Sequence, residues 1–182
     1  MRRHLAYAAG AAVLALAGCG GDDPTPQVAD PTPTASVSAS PSASAAVEKE
    51  AWEKKTDDGA VAFVEHWLEV FNEAETTGET QVLEDLSAPG CETCANFVEI
   101  TNDIYGAGGF IKSEGWKIQQ VGRPTETATE TVVAFNVDQT PQRVRQTAES
   151  ETLARPGGKL SLSAHLAWRG GKWVMNRLDR VA

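Results

Sequence analysis

Three cysteines, Cys19, Cys91 and Cys94, carry most of the chemistry that the residue types of this 182-residue chain allow. Cys91 and Cys94 form a Cys-x-x-Cys pair just after Pro89-Gly90, a turn that leads into a stretch of helical periodicity. Two positions three apart on a first helical turn have Cα atoms roughly 5 Å apart, which a disulfide accepts. The same placement would also suit a thiol–disulfide exchanger, since a helix N-terminus lowers a thiol's pKa. No strand–helix–strand pattern precedes the motif, so a structural staple fits it better than a redox site. Zinc needs four ligands, and past the N-terminal region only His66 and His165 remain beside the cysteines.

The histidines give little more. His66 shares a polar helical face with Glu65, Glu69 and Glu73, whose i,i+4 spacing makes them repel mildly unless solvated. No second helix supplies matching carboxylates, so the face reads as solvent-exposed. His165 alternates with Ser161 and Ser163. A Ser–His nucleophile wants an orienting acid; Asp179 stands on the following strand, but a tight hairpin register turns it to the other face. Gly106, Gly108 and Gly109 follow a helix instead of opening one after a strand, so they lack a phosphate-loop context and read as a helix-to-strand turn. The residues therefore indicate no catalytic group, no metal site and no cofactor.

The elements that hold these residues fall into three segments: 1–18, 19–55 and 56–182. Met1-Arg2-Arg3-His4 is a basic start, and Leu5–Ala17 is an apolar run of 13 residues. That is too short to span a bilayer but suits a signal peptide. Leu16-Ala17-Gly18-Cys19 resembles the lipobox of bacterial lipoproteins. The resemblance implies cleavage before Cys19, diacylglycerol on its thiol with further acylation such as palmitate, and a membrane anchor on the extracytoplasmic face. An oxidising compartment agrees with a bonded Cys91–Cys94 pair. Segment 19–55 is rich in Pro, Ser, Thr and Ala, and reads as a disordered tether whose ends average roughly 30–35 Å apart. Its Ser/Thr/Pro run permits O-glycosylation. The full chain has a formal charge of −9. Loss of residues 1–18 leaves 14 cations against 25 acids, a net −11. Such a field repels nucleic acid.

From Asp57-Asp58 the apolar residues Ala60, Val61, Phe63, Val64, Trp67, Leu68, Val70 and Phe71 recur at helical spacing, with Asn72 and Glu73 on the opposite, polar face. Gly78 stops this helix. Thr80 caps a short second helix to Leu86, and a third runs from about Glu92 to Tyr105. Past Gly109 the period changes to two. Trp116–Val121 and Thr131–Val137 read as strands, Arg143–Leu153 as a weaker one, and Leu160–Trp168 with Trp173–Val181 as a hairpin on Gly170-Gly171. That turn sets Trp168 opposite Trp173, both expected to be buried.

Helices followed by long antiparallel strands resemble the NTF2-like cone: an α+β fold, three N-terminal helices packed on a curved antiparallel sheet of about four strands. More narrowly, Gly59-Ala60-Val61-Ala62-Phe63-Val64-Glu65-His66-Trp67, Asn72-Glu73-Ala74, Cys91-Glu92-Thr93-Cys94 and Ile104-Tyr105-Gly106-Ala107-Gly108-Gly109 resemble a family of uncharacterised actinobacterial lipoproteins with a domain of unknown function. The resemblance implies the anchor, the fold and the cysteine pair, but no activity. In such a cone Trp67, Phe71, Phe97, Tyr105, Phe135, Trp168 and Trp173 would either line a pocket or simply form the core. Enzymes of the NTF2-like class pair a buried Asp or Glu with His or Tyr, for which Asp103 and Tyr105 are the nearest candidates. The reading that fits best is a lipid-anchored module binding a protein or small apolar ligand, its exposed sheet face (Ser161, Ser163, His165, Arg169) available for homodimerisation. An enzyme using the pocket is the alternative.

Overall fold

Thr56 starts the first helix by accepting a hydrogen bond from the Gly59 amide, and Asp57 and Asp58 place negative charge on its first turn. The computed structural model describes residues 49–181, so Cys19, the leader and most of the tether lie outside the described residues. Helix α1 (Asp57–Thr77) ends at Gly78, whose φ of 86° is the left-handed conformation that terminates helices at low cost for glycine. Helix α2 (Gln81–Asp85) is a single short turn, and α3 (Glu92–Gly106) follows it. Thr80 precedes α2 without capping it; its hydroxyl bonds Glu84 and Asn102 and so ties α2 to α3. At α3 the Cys91 sulfur takes the cap, accepting from the Cys94 amide.

The strands are β1 (Gly108–Lys112), β2 (Trp116–Val121), β3 (Thr125–Glu126), β4 (Thr131–Gln139), β5 (Gln142–Thr147), β6 (Leu153–Arg155), β7 (Gly158–Arg169) and β8 (Lys172–Val181). All pairings between these strands are antiparallel. One five-stranded sheet runs β2-β4-β7-β8 with β3 on β4, and a three-stranded sheet runs β1-β5-β6. The expected single sheet of about four strands is thus the larger sheet, and the second sheet is an addition. Gly108 and Gly109 do not merely turn the chain: they begin β1. A Cβ on Gly109 would lie 2.1 Å from the Arg145 carbonyl oxygen, so only glycine allows β5 to approach there.

The core lies between α1 and the larger sheet. Phe63, Val64, Trp67, Leu68 and Phe71 pack with Val133, Phe135, Val137, Leu162, Ala164, Leu166 and Met175. These are the alternating inward positions of β4, β7 and β8. Trp168 pairs with Trp173 as expected, on a Gly170-Gly171 turn with both φ values positive (58° and 83°). Trp173 is buried but Trp168 is only half-buried. Trp173 is also contacted by the segment 51–54, residues that the sequence places in the tether. There Lys54 accepts a hydrogen bond from the Trp173 indole at 2.9 Å, and Trp52 stacks on His66 with ring centroids 4.2 Å apart. His66 is therefore covered by an aromatic ring and not left on a solvated face.

Candidate functional site

The interior of the cone is filled by the aromatics that the sequence leaves between pocket and core. Trp67 and Phe71 stack at 5.8 Å, Phe71 meets Phe97 at 4.7 Å and Trp116 at 5.0 Å, and Phe135 is buried beside them. Tyr105 has a different task. Its hydroxyl lies within hydrogen-bond distance of the carbonyls of Glu75, Thr76 and Ile111, so it ties the end of α1 to β1. The partly buried acid of this region is not Asp103, which is exposed, but Glu75. Burial pushes its carboxyl above the usual range, while a 2.8 Å hydrogen bond from Gln142 and the charge of Arg155 pull the other way. Of the seven proposed lining residues, Trp168 and Trp173 do border a small cavity of about 180 Å³, together with Lys55 and the turn 126–131, and Phe135 borders another of about 250 Å³ with Ser161 and Leu162.

The outward face of the larger sheet carries a charged cluster that the sequence left scattered. His165 Nδ1 is 3.1 Å from Glu130 Oε2 and its Nε2 is 3.3 Å from Asp179 Oδ2. Arg177 Nε is 2.9 Å from the same Asp179 oxygen. Asn176 donates to the other Glu130 oxygen. The bond from Asn176, followed by His165 and Arg177, holds the Glu130 carboxyl below the usual range although partial burial opposes it. Asp179 thus does not face away from His165. A β-bulge between His165 and Leu166 leaves Asn176 as an extra residue on β8, so that His165 pairs with Arg177 and Ser163 with Asp179. The signal was present in the sequence: a strict period of two from Trp173 and Met175 would bury Arg177 and Asp179, whereas the next apolar residue is Leu178. Both ring nitrogens face carboxylates, and the Arg177 guanidinium also lies 3.0–3.1 Å from both of them. Ser161 is not directed at the ring and donates instead to Asn136 at 2.8 Å.

Cys91 and Cys94 have their sulfurs 2.00 Å apart and Cα atoms 5.3 Å apart, a disulfide at the start of α3. Their residues are 0% and 1% exposed. A partner disulfide reaches neither sulfur without local opening, whereas reactive cysteines sit partly exposed. Closing so short a ring stabilises the fold by about 2 kcal/mol in the chain-entropy picture. The bond fixes the loop Ser87–Gly90 to α3. That loop is anchored on its other side by β8, through Ala88 N to Met175 O at 2.8 Å and Met175 N to Leu86 O at 2.9 Å.

Beside the disulfide lies an open groove of about 370 Å³ between α2, this loop and α3. Ala88, Pro89, Ala95 and Val98 give it apolar walls, Cys94 and Ser87 contribute to its lining, and Glu84 and Glu99 supply negative charge. Ser87 connects this groove to the core, because it accepts a hydrogen bond from the Trp67 indole at 3.1 Å and donates to Leu83 O at 2.7 Å. None of the aromatics expected to line a pocket lies here. Ala88 and Pro89 of the loop and Ala95 and Val98 of α3 build this groove, and the loop residues leave no periodic trace in a sequence.

A family model described as a family of unknown function (DUF6318) matches residues 43–179. No curated protein matches the chain. Among solved structures, the intermembrane space region of the chloroplast protein ARC6 superposes with a TM-score of 0.55 at 10% identity, over 71% of this chain and 98% of that one. An NTF2-like protein from Anabaena variabilis matches with a TM-score of 0.38 at 16% identity, over 71% and 94% of the two chains. At these identities the likeness is one of fold alone, and the architecture is α+β, three helices with antiparallel sheets.

Proposed function

This chain belongs to the family of unknown function DUF6318, and from that premise we propose that it is a non-catalytic binding module, held on the outer face of the cytoplasmic membrane by lipid on Cys19. The groove between α2 and α3 is the site that receives the ligand. One observation carries the reading: an apolar cleft of about 370 Å³ is held open by a disulfide and by two backbone hydrogen bonds to β8. A loop that is fixed from both sides loses little further freedom on binding, so more of the contact energy appears as affinity. The apolar walls suit a small apolar ligand or an apolar side chain of a protein partner, and Glu84 and Glu99 favour one that carries positive charge.

Two expected results test the two halves of this reading. Nile red, a neutral apolar dye, should bind the full chain and shift its emission to the blue. Val98→Arg should abolish that shift with little change in melting temperature, because Val98 is only half-buried at the groove wall. Equal dye binding by the variant would remove the groove as the site. For the anchor, Cys19→Ala should abolish palmitate labelling and release the chain from the membrane fraction. An unchanged label and fractionation would sink the lipid attachment while leaving the groove untouched.

A further inference from the structure

We propose that the outward face of the three-stranded sheet docks the domain onto an anionic lipid headgroup surface. The strands β1, β5 and β6 contain Lys112, Arg143, Arg145 and Arg155 and no acid, in a chain whose acids outnumber its cations 25 to 16. The register divides these residues between two faces. Ile111, Val144 and Gln142 are buried against the helices, which leaves Phe110, Lys112, Arg143 and Arg145 on the other side. Lys112 pairs with Arg143 directly across the strands, and Phe110 with Arg145.

Like charges placed directly opposite are destabilising in a sheet, so this arrangement works against the isolated fold. None of the three outward cations, Lys112, Arg143 and Arg145, forms an ion pair among the described residues; Arg145 donates only to the Gly108 carbonyl, and the pairs there involve Lys117, His165 and Arg177. The next acid along the chain from β1, Glu114, is already held by Lys117 at 2.8 Å, and Glu75 bonds Gln142 on the inner face. Glu149 and Glu151 lie beyond Thr147, outside the strands. Between the cations sits Phe110, half-buried, with Lys112 Nζ 5.0 Å and the Arg145 guanidinium 4.7 Å from its ring centroid. An aromatic ring flanked by snorkelling cations is the side-chain set that settles at a lipid–water interface. Phosphate-bearing headgroups would supply the counter-charge that the fold withholds. The acidic remainder of the surface would be repelled, so the domain would dock in one orientation. The inference rests on the proposed anchor only for the local concentration that a tether of 19–55 provides. Docked this way, the module would have its height above the bilayer set by the sheet and not by the tether.

The test is amide hydrogen exchange on the full chain with vesicles of phosphatidylcholine alone or mixed with phosphatidylglycerol. Peptides covering 108–112 and 142–147 should be protected on the anionic vesicles only, and raised salt should remove the protection, since exposed charges are screened. A cation near an anionic surface contributes about 1 kcal/mol, or roughly fivefold. Lys112→Gln with Arg143→Gln should therefore lower the docking equilibrium by roughly 25-fold. The same variant should melt no lower than the wild type, because it removes the opposed cations. Four outcomes would overturn the proposal: equal protection on both vesicles; protection without vesicles that rises with protein concentration, which means a second copy; the same protection with inorganic phosphate in solution; and undiminished docking of the Gln variant. Failure of the groove reading would appear elsewhere, at peptides covering 84–99.

Discussion

Trp67→Ala should lower the unfolding free energy by about 3–5 kcal/mol, the largest loss expected from any single side chain here. Small domains are stable by only about 5–15 kcal/mol, so this one change removes about a fifth or more of the total. Trp67 is 1% exposed and stands at the centre of the core, against the inward positions of β4, β7 and β8. Its ring stacks on Phe71, and its indole N–H donates to Ser87. Truncation leaves a cavity that α1 cannot close, because α1 is fixed at Asn72 by the backbone of Trp116 and at its end by Tyr105. It also frees the loop that forms one wall of the groove. Trp67→Phe should recover most of the loss, since Ser87 keeps its bond to Leu83. Urea unfolding measures both variants, and a shifted midpoint at constant slope confirms that stability alone has changed. A loss under about 1 kcal/mol for the Ala variant would move Trp67 out of the core.

The features legible in the sequence are those set by periodicity. The 3.6 spacing from Ala60 to Phe71 placed α1 and its buried face, and the alternation from Leu160 to Trp168 placed β7. The Gly-Gly turn fixed the register of the last hairpin at Trp168 and Trp173. Periodicity fails where the chain departs from it. The bulge at Asn176 advanced β8 by one residue and carried Asp179 to the side of His165, so one extra residue assembled a charged cluster that a strict register forbids. The strand β1 was hidden for a different reason. Gly108 and Gly109 have poor strand propensity; Gly109 is there because β5 passes too close for any side chain, and Gly108 because its φ is 72°. The second sheet was missed with it, since β1 is the strand that pairs with one edge of β5 while β6 pairs with the other. The candidate site was the least legible part. Cys91 and Cys94 marked its floor, but Ala88, Pro89, Ala95 and Val98 form a groove only once the loop is held to β8.

Asn72 gives the second large effect. Its position on α1 looked polar and solvent-facing, among Glu65, Glu69 and Glu73, yet it is half-buried and bonded at both ends of its amide. Nδ2 donates to Trp116 O at 3.0 Å, and Oδ1 accepts from Trp116 N at 2.8 Å. The side chain thereby pairs with the backbone of β2 as a neighbouring strand would, joining the middle of α1 to the edge of the larger sheet. Asn72→Ala strips partners from one N–H and one C=O together, at about 1–3 kcal/mol for each group left unsatisfied. The expected total is about 2–4 kcal/mol, because the edge position lets water replace part of the loss. Asn72→Asp should be nearly as costly, since a carboxylate can accept from Trp116 N but cannot donate to Trp116 O. The neighbouring Gly115 depends on the same contact. Its φ is 81°, and a Cβ there would lie 2.7 Å from the Asn72 side chain. Gly115→Ala should therefore be destabilising in the wild type and less so when residue 72 is already Ala, where the steric part of the cost is gone and only the backbone part remains. A double-mutant cycle reads that difference directly, with an expected coupling of about 0.5–3 kcal/mol. Strict additivity, or a loss under about 0.5 kcal/mol for Asn72→Ala, would show that α1 and β2 are held together by packing alone.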